Sequence, residues 1–280
     1  MNTLSIVWDP GIGLELGPIT IRYYSMMYIF GFIAGYYIMK KIFENEKVST
    51  QLLDPLLTYV VIGTLLGARL GHVFFYDWPY YKNHLLEILI PVVNTGNGYE
   101  FTGFRGLASH GAAIGIFIAL WLFWRKYLRG QYSFLWILDR ITLTIPIGAA
   151  LIRIGNLLNS EIIGKPTHSD YGFIFKQLNE DFPRYPTQLY EAGAYFSLLF
   201  ILLYLYWKTG IKKYQGMIFG IFFILLWTIR LVIEFYKEPQ DTKDAMLLME
   251  TGLDKGQWLS IPMILIGIGF MIYGYKSYKK

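Results

Sequence analysis

Seven apolar runs of about 20 residues, joined by short polar connectors, constrain this chain more than any other feature of its sequence. They fall at roughly 21–40, 54–76, 107–124, 137–158, 187–207, 216–236 and 258–275. At a rise of 1.5 Å per residue, each is long enough to cross about 30 Å of hydrocarbon as an α-helix. The expected fold is all-α: a polytopic membrane helical bundle of about seven transmembrane helices, forming one domain over residues 1–280.

Composition agrees, with 54% hydrophobic, 18% aromatic and 16% charged residues, against roughly 25% charged in a soluble domain. Pro55 near the start of the second run and Pro186 just before the fifth suit first-turn or pre-helix positions. No fixed-period repeat or low-complexity tract is present. The net charge of +5 comes without a long basic run or a basic amphipathic helix, so nucleic acid is not an expected partner. With no cysteine, the chain has no disulfide, thiolate metal site or cysteine nucleophile of its own. No Lys or Arg precedes Arg22, while Asp9 and Glu15 do; a cleavable signal peptide lacks its basic region here, and the first run is expected to stay.

Orientation follows from Lys and Arg in alternate connectors. One set holds Lys40, Lys41, Lys47, Arg125, Lys126, Arg129, Lys208, Lys212, Lys213, Lys276, Lys279 and Lys280, packed into about 40 residues. The other holds Lys82, Arg105, Lys165, Lys176, Arg184, Lys237, Lys243 and Lys255, spread over about 100. The dense set is expected to be cytoplasmic, which puts the N-terminus outside and the C-terminus inside.

A charged side chain deep in a span costs about 2.5 to 3.5 kcal/mol on insertion scales. In the expected topology Arg22, His110, Gln188 and Glu191 come early in inward-running spans. Arg69, His72, Arg153, Asn156, Asn159, Arg230 and Glu234 come late in outward-running ones. All then lie in the outer half of the bilayer. For Arg22, and for Asp139 with Arg140 at the start of the fourth span, the simpler account is snorkelling to headgroups. That account is weaker for Arg69, Arg153 and Arg230, which lie roughly 8 to 10 Å inside the span ends, and it does not explain why the polar partners share that depth.

Residues three or four apart share a helix face, which aligns Arg153 with Asn156 and Ser160, Arg230 with Glu234, and Arg69 with His72. Arg230 and Glu234 form either a structural pair or part of a site. Arg153 has no carboxylate three or four residues away, so its charge is expected to be free for an external anion. At Ser109-His110-Gly111-Ala112-Ala113-Ile114-Gly115 a potential Ser cap precedes His and small residues. A helix N-terminus disfavours imidazolium, which leaves His110 neutral and able to act as a base. The alternative is a headgroup-facing His beside a Gly111/Gly115 packing face. Gly67 and Gly71 around Arg69 point to close packing.

The segment Ile152-Arg153-Ile154-Gly155-Asn156-Leu157-Leu158-Asn159-Ser160-Glu161, with Gly164, resembles the signature of bacterial phosphatidylglycerol:prolipoprotein diacylglyceryl transferases. Further segments agree in order: Arg22-Tyr23-Tyr24-Ser25-Met26-Met27-Tyr28, His110-Gly111, Tyr185-Pro186-Thr187-Gln188-Leu189-Tyr190-Glu191, Arg230-Leu231-Val232-Ile233-Glu234-Phe235, and Gly256-Gln257-Trp258-Leu259-Ser260-Ile261-Pro262-Met263. The family often has glycine where this chain has Ala112 and Ile152; neither departure removes a reactive group.

The resemblance implies transfer of diacylglyceryl from phosphatidylglycerol to the lipobox cysteine thiol of a prolipoprotein, with release of glycerol phosphate. It implies a multi-pass enzyme of the bacterial inner membrane; with the topology above the site is expected towards the periplasmic face, and the residues suggest no metal site and no cofactor. Arg153 and Arg230 are then assigned to the phosphate and His110 to thiol deprotonation. Glu234 is expected to orient Arg230. Asn156, Asn159, Glu161, Gln188 and Tyr190 are expected to shape the pocket, with Tyr23 and Gly111 also on the substrate side. An anion transporter lined by Arg69, Arg153 and Arg230 needs polar residues at both depths, and the inner halves of the spans are almost wholly apolar. A serine intramembrane protease lacks a nucleophile motif, since Ser25 and Ser109 stand in no Gly-x-Ser-x-Gly context.

Overall fold

The computed structural model describes residues 4–17, 19–90, 92–95, 98–101, 106–240 and 242–278; Arg105, Lys279 and Lys280 of the charge count lie outside them. In chain order the elements are β1 (Ser5–Trp8), β2 (Gly13–Leu16), β3 (Ile19–Arg22), α1 (Tyr23–Asn45), α2 (Leu53–Phe75), α3 (Trp78–Tyr81), α4 (Leu86–Leu89), β4 (Val92–Asn94), β5 (Tyr99–Phe101), α5 (Ser109–Phe123), α6 (Phe134–Thr142), α7 (Ile145–Leu158), β6 (Gly172–Phe175), α8 (Thr187–Lys208), α9 (Met217–Glu234), α10 (Thr242–Thr251) and α11 (Lys255–Tyr278). Two compact units emerge, one of Met1–Ile42 with Leu138–Lys280 and one of Phe43–Ile137.

The fold is mostly helical. Among the described residues five helices are long and apolar enough to cross a membrane: Thr50–Phe75, Ser109–Leu128, Thr187–Lys208, Met217–Glu234 and Lys255–Tyr278. The pair α6 and α7 makes a sixth candidate, bent by 42°. The expected fourth span is thus a broken one, with Pro146 in the first turn of α7, where a residue without an amide proton is tolerated. The expected first span is the 23-residue α1, but Tyr23, Tyr24, Tyr28, Tyr36 and Tyr37 leave it less apolar than the other six. Three two-stranded sheets add a little β structure: β1 with β6 in parallel, and the antiparallel pairs β2–β3 and β4–β5.

In the first unit, α1 lies against α7 where Gly31 meets Gly148: a Cβ on Gly31 would stand 3.3 Å from the Gly148 Cα. Helices α9 and α11 close on Gly220 and Gly267, where a Cβ on Gly220 would meet the Gly267 carbonyl at 2.7 Å. Small residues let backbones approach where lipid supplies no hydrophobic drive. Leu198, Leu202, Tyr206, Ile218 and Phe222 of α8 and α9 are buried, whereas Phe200 and Leu265 are more than 60% exposed, as lipid-facing side chains are. At one end Asp139 accepts hydrogen bonds from the amides of Gly216 (2.7 Å) and Phe219 (2.9 Å), capping α9 from another helix. Asp139 and Arg140 are buried, so the snorkelling expected of them does not occur; the orphan amides of a helix start take the carboxylate instead. At the other end the β1–β6 pair rests on α7, with Trp8 Nε1 donating to the Leu157 carbonyl at 2.8 Å and Phe173 and Phe175 packed with Leu157.

The second unit is built on a seam between α2 and α5. Gly63, Gly67 and Gly71 face Gly111, Gly115 and Ala119; a Cβ on Gly71 would stand 2.6 Å from the Gly111 Cα, and one on Gly63 2.6 Å from the Ala119 Cβ. Arg69 is buried, donating from Nε to the Ile88 carbonyl (2.9 Å) and from Nη2 to the Glu87 carbonyl, with its guanidinium 4.7 Å from the Tyr81 ring centre.

Candidate functional site

The last turns of α7 and α9 and the first turns of α8 and α11 meet at one end of the first unit, and their polar residues form a continuous network. Arg153 pairs through Nε with Glu191 Oε2 at 2.9 Å and donates from Nη1 to Asn156 Oδ1 at 3.1 Å. Asn156 and Asn159 each donate to one oxygen of the Glu161 carboxylate, both at 3.2 Å. Gln188 donates to the Glu161 backbone carbonyl at 2.7 Å. Lys237 Nζ bridges two carboxylates, Glu191 Oε1 at 2.9 Å and Glu234 Oε2 at 3.0 Å, and the Tyr195 hydroxyl donates to Glu191 Oε1 at 3.3 Å.

Glu191 is 0% exposed. A carboxylate there is stable only when paired and hydrogen-bonded, and Arg153, Lys237 and Tyr195 supply that. Local backbone places the partners. Ser160 and Ile162 both take left-handed conformations, φ 53° and 54°, which turn the chain back so that the Glu161 amide donates to the Asn156 carbonyl at 2.9 Å. Segment 163–165 is tied to segment 236–238, Lys165 N to Tyr236 O at 2.9 Å and Glu238 N to Ile163 O at 3.1 Å, which fixes the root of Lys237. Arg184 completes the tie with donors to the Gly164 carbonyl (3.0 Å), Glu180 and Glu238. Its hydrogen bond to Glu180, with further help from Glu238, holds its guanidinium above even the usual arginine range. Gly256 leaves room for Glu234, since a Cβ there would lie 2.6 Å from its carboxylate.

The model for the family described as prolipoprotein diacylglyceryl transferase matches residues 12–273. The chain belongs to this family. Among its curated relatives, the phosphatidylglycerol–prolipoprotein diacylglyceryl transferase of Bacteroides fragilis is 42% identical over 278 residues, covering 98% of this chain and 97% of the relative. The enzyme of that name from Chloroherpeton thalassium is 42% identical over 279 residues (99% and 97%), and that from Tolumonas auensis 40% over 269 residues (96% of each).

Within this transferase framework the first unit gathers Arg153, Asn156, Asn159, Glu161, Gln188, Arg230 and Glu234 at one end. Their pairing differs from expectation. Arg153, read as an unpaired charge, is paired by Glu191 of a neighbouring helix, a partner that spacing within one helix does not reveal. Glu234, expected to orient Arg230, is taken by Lys237, while the Arg230 guanidinium lies 5.5 Å from the Trp227 ring centre. Tyr190 is 44% exposed, turned away from buried Gln188 and Glu191, because a helix rotates about 100° per residue. Tyr23 opens α1 with its amide on the Ile12 carbonyl (3.3 Å). The tyrosine lying on the signature is its neighbour Tyr24, whose ring a Cβ on Gly155 would meet at 2.7 Å.

His110 and Gly111 belong to the second unit. His110 is exposed in the first turn of α5, and Gly111 is buried in the glycine seam. The expected Ser cap is absent: Ala108 is the N-cap, with no side-chain cap bond, and its amide donates to the Ala68 carbonyl at 2.9 Å. Sequence reasoning left Lys237, Tyr195 and Tyr24 without a role and gave Glu191 only a depth. The available signal was spacing: Glu191 follows Gln188 by three residues and Lys237 follows Glu234 by three. Among the described residues no group of three or more His, Cys, Asp or Glu could hold a metal ion.

Proposed function

We infer that this protein transfers the diacylglyceryl group of phosphatidylglycerol to the lipobox cysteine thiol of a prolipoprotein. The reaction forms a thioether and releases glycerol phosphate. The observation that carries this reading is the family match across residues 12–273; the network around Arg153 supports the assignment of roles.

Sulfur displaces phosphate at a glycerol carbon. The thiol gives its proton to a base, the thiolate forms a C–S bond, and the C–O bond to phosphate breaks with its electron pair staying on the phosphate oxygen. A free thiol has a pKa near 8.5, so a base is needed at neutral pH; His110 takes that role by the resemblance. The leaving phosphate gains charge and is stabilised by donors already in place. Arg153 fits this task because Glu191 and Asn156 hold its planar fork in one orientation while further N–H donors remain. Arg230, whose Nε is buried without a hydrogen-bond partner among the described residues, supplies a second cation. Lys237 offsets the charges of Glu191 and Glu234, so the two carboxylates do not cancel both arginines.

The Lys and Arg asymmetry supports an N-terminus outside, a cytoplasmic C-terminus and a site towards the periplasmic face of the inner membrane. A reporter active only in the periplasm is expected to be silent after Lys280 and active when inserted near Asn179; the reverse pattern overturns this orientation. For the reaction, the purified full chain is incubated with phosphatidylglycerol and a lipobox peptide. The peptide is expected to gain the mass of one diacylglyceryl group as one glycerol phosphate is released. No mass gain where the Bacteroides fragilis relative works in parallel refutes the function.

A further inference from the structure

Two donors on α9 remain without acceptors. Trp227 Nε1 and Arg230 Nε are buried and make no hydrogen bond among the described residues. They are three residues apart, share a helix face, and their side chains stack at 5.5 Å. The neighbouring carboxylates are already engaged, Glu191 by Arg153, Lys237 and Tyr195, and Glu234 by Lys237.

An indole N–H is a donor only, and at the depth of an apolar span water does not satisfy it at low cost. Trp227 stands just under one helical turn, about 4.5 Å of rise, further from the polar end than Arg230. A glycerophospholipid whose phosphate reaches Arg230 places its acyl ester groups on that inner side, since they sit between headgroup and acyl chains. Their carbonyl oxygens are good acceptors and carry no proton, which suits an indole.

We propose that Trp227 is a specificity-determining residue that donates its indole N–H to an acyl ester carbonyl of the lipid substrate, so that the enzyme distinguishes diacyl lipids from their dialkyl ether counterparts. This rests on the assignment of Arg230 to the phosphate and adds recognition of the ester. The ether analogue keeps the phosphate and the reacting glycerol carbon, so it remains chemically competent and loses only the acceptor.

The test compares diacyl phosphatidylglycerol with a dialkyl ether phosphatidylglycerol of equal chain length, using the full chain and a lipobox peptide. The parent is expected to favour the ester in kcat/KM by about two- to tenfold, the worth of one hydrogen bond. Trp227→Phe keeps an aromatic ring without the N–H and is expected to bring the ester-to-ether ratio of kcat/KM down to about one. Should Trp227→Phe fail to accumulate, 3-benzothienylalanine at position 227 keeps the bicyclic shape with sulfur in place of N–H and gives the same readout. No ester preference in the parent, or an undiminished preference in either replacement, overturns the proposal. Arg230→Gln is expected to lower transfer from both lipids by the same factor, at least about 100-fold. Near-parental transfer there removes the phosphate assignment, whereas an unchanged ester-to-ether ratio at position 227 removes the Trp227 contact with the phosphate assignment intact.

Discussion

The polar end of the first unit and the glycine seam of the second put arginines at similar places in their helices and use them differently. Arg69 lies six residues before the end of α2, Arg153 five before the end of α7, and Arg230 four before the end of α9. Arg69 is committed to structure, since its guanidinium closes over the carbonyls of Glu87 and Ile88 and the ring of Tyr81. Arg153 is oriented by a buried carboxylate yet keeps donors to spare, and Arg230 Nε is unsatisfied. Depth in a span thus marks an arginine as costly, while the acceptors around it decide how many of its donors are engaged within the fold.

The sharpest test of that contrast is Arg153→Ala, which is expected to abolish transfer, a loss of at least about 10³-fold, with membrane abundance near normal. Arg153→Lys is expected to rescue poorly, because a point charge does not reproduce a bidentate contact with phosphate. Transfer to a lipobox peptide, with immunoblotting for abundance, reads both; near-parental activity in Arg153→Ala removes this residue from the site.

Within the second unit, His110 breaks or keeps the view that the seam is purely structural. If it takes the thiol proton, His110→Gln lowers the rate by about 10² to 10⁴, and raising the pH towards the thiol value recovers part of the loss, because more thiolate forms unaided. Rates of parent and variant from pH 6 to 9 decide this, and parallel profiles refute the base role.

The smallest expected effect belongs to Arg69→Gln. Leaving the Glu87 and Ile88 carbonyls short of donors costs about 1 to 3 kcal/mol of stability, read as a lower midpoint of thermal unfolding in detergent. The KM for phosphatidylglycerol is expected to stay within about twofold, since losing one net hydrogen bond to substrate would change it by more. A large rise in KM with unchanged stability would move Arg69 into the site and erase the contrast between the regions.

Much of the polar cluster at the candidate site was legible because membrane sequences mark polar residues by contrast. Asn156, Asn159 and Glu161 stand out against apolar neighbours, and the structure joins the three in one hydrogen-bonded cluster. Partners on other helices were not legible. Nothing local links Glu191 to Arg153 or Lys237, because the pairing depends on α7, α8 and the end of α9 meeting at one point. Asp139 misled for the same reason: an acid near a span start reads as headgroup-facing until the amides of Gly216 and Phe219 arrive to receive it.

Length and apolarity of the runs were sufficient for the helical fold, since each run closes its own backbone hydrogen bonds and needs no distant partner to do so. Residue spacing was also sufficient to expect small faces at Gly67, Gly71, Gly111 and Gly115, which depend on periodicity alone. Two kinds of outcome needed the assembled chain. One is the break between α6 and α7, where Pro146 starts a second helix bent 42° from the first. The other is the charge pairing, in which Glu191 goes to Arg153 and Lys237 while Glu234 goes to Lys237. Ion pairs act over a few ångströms of space whatever the distance along the chain, so only the packing of helices decides which charges meet.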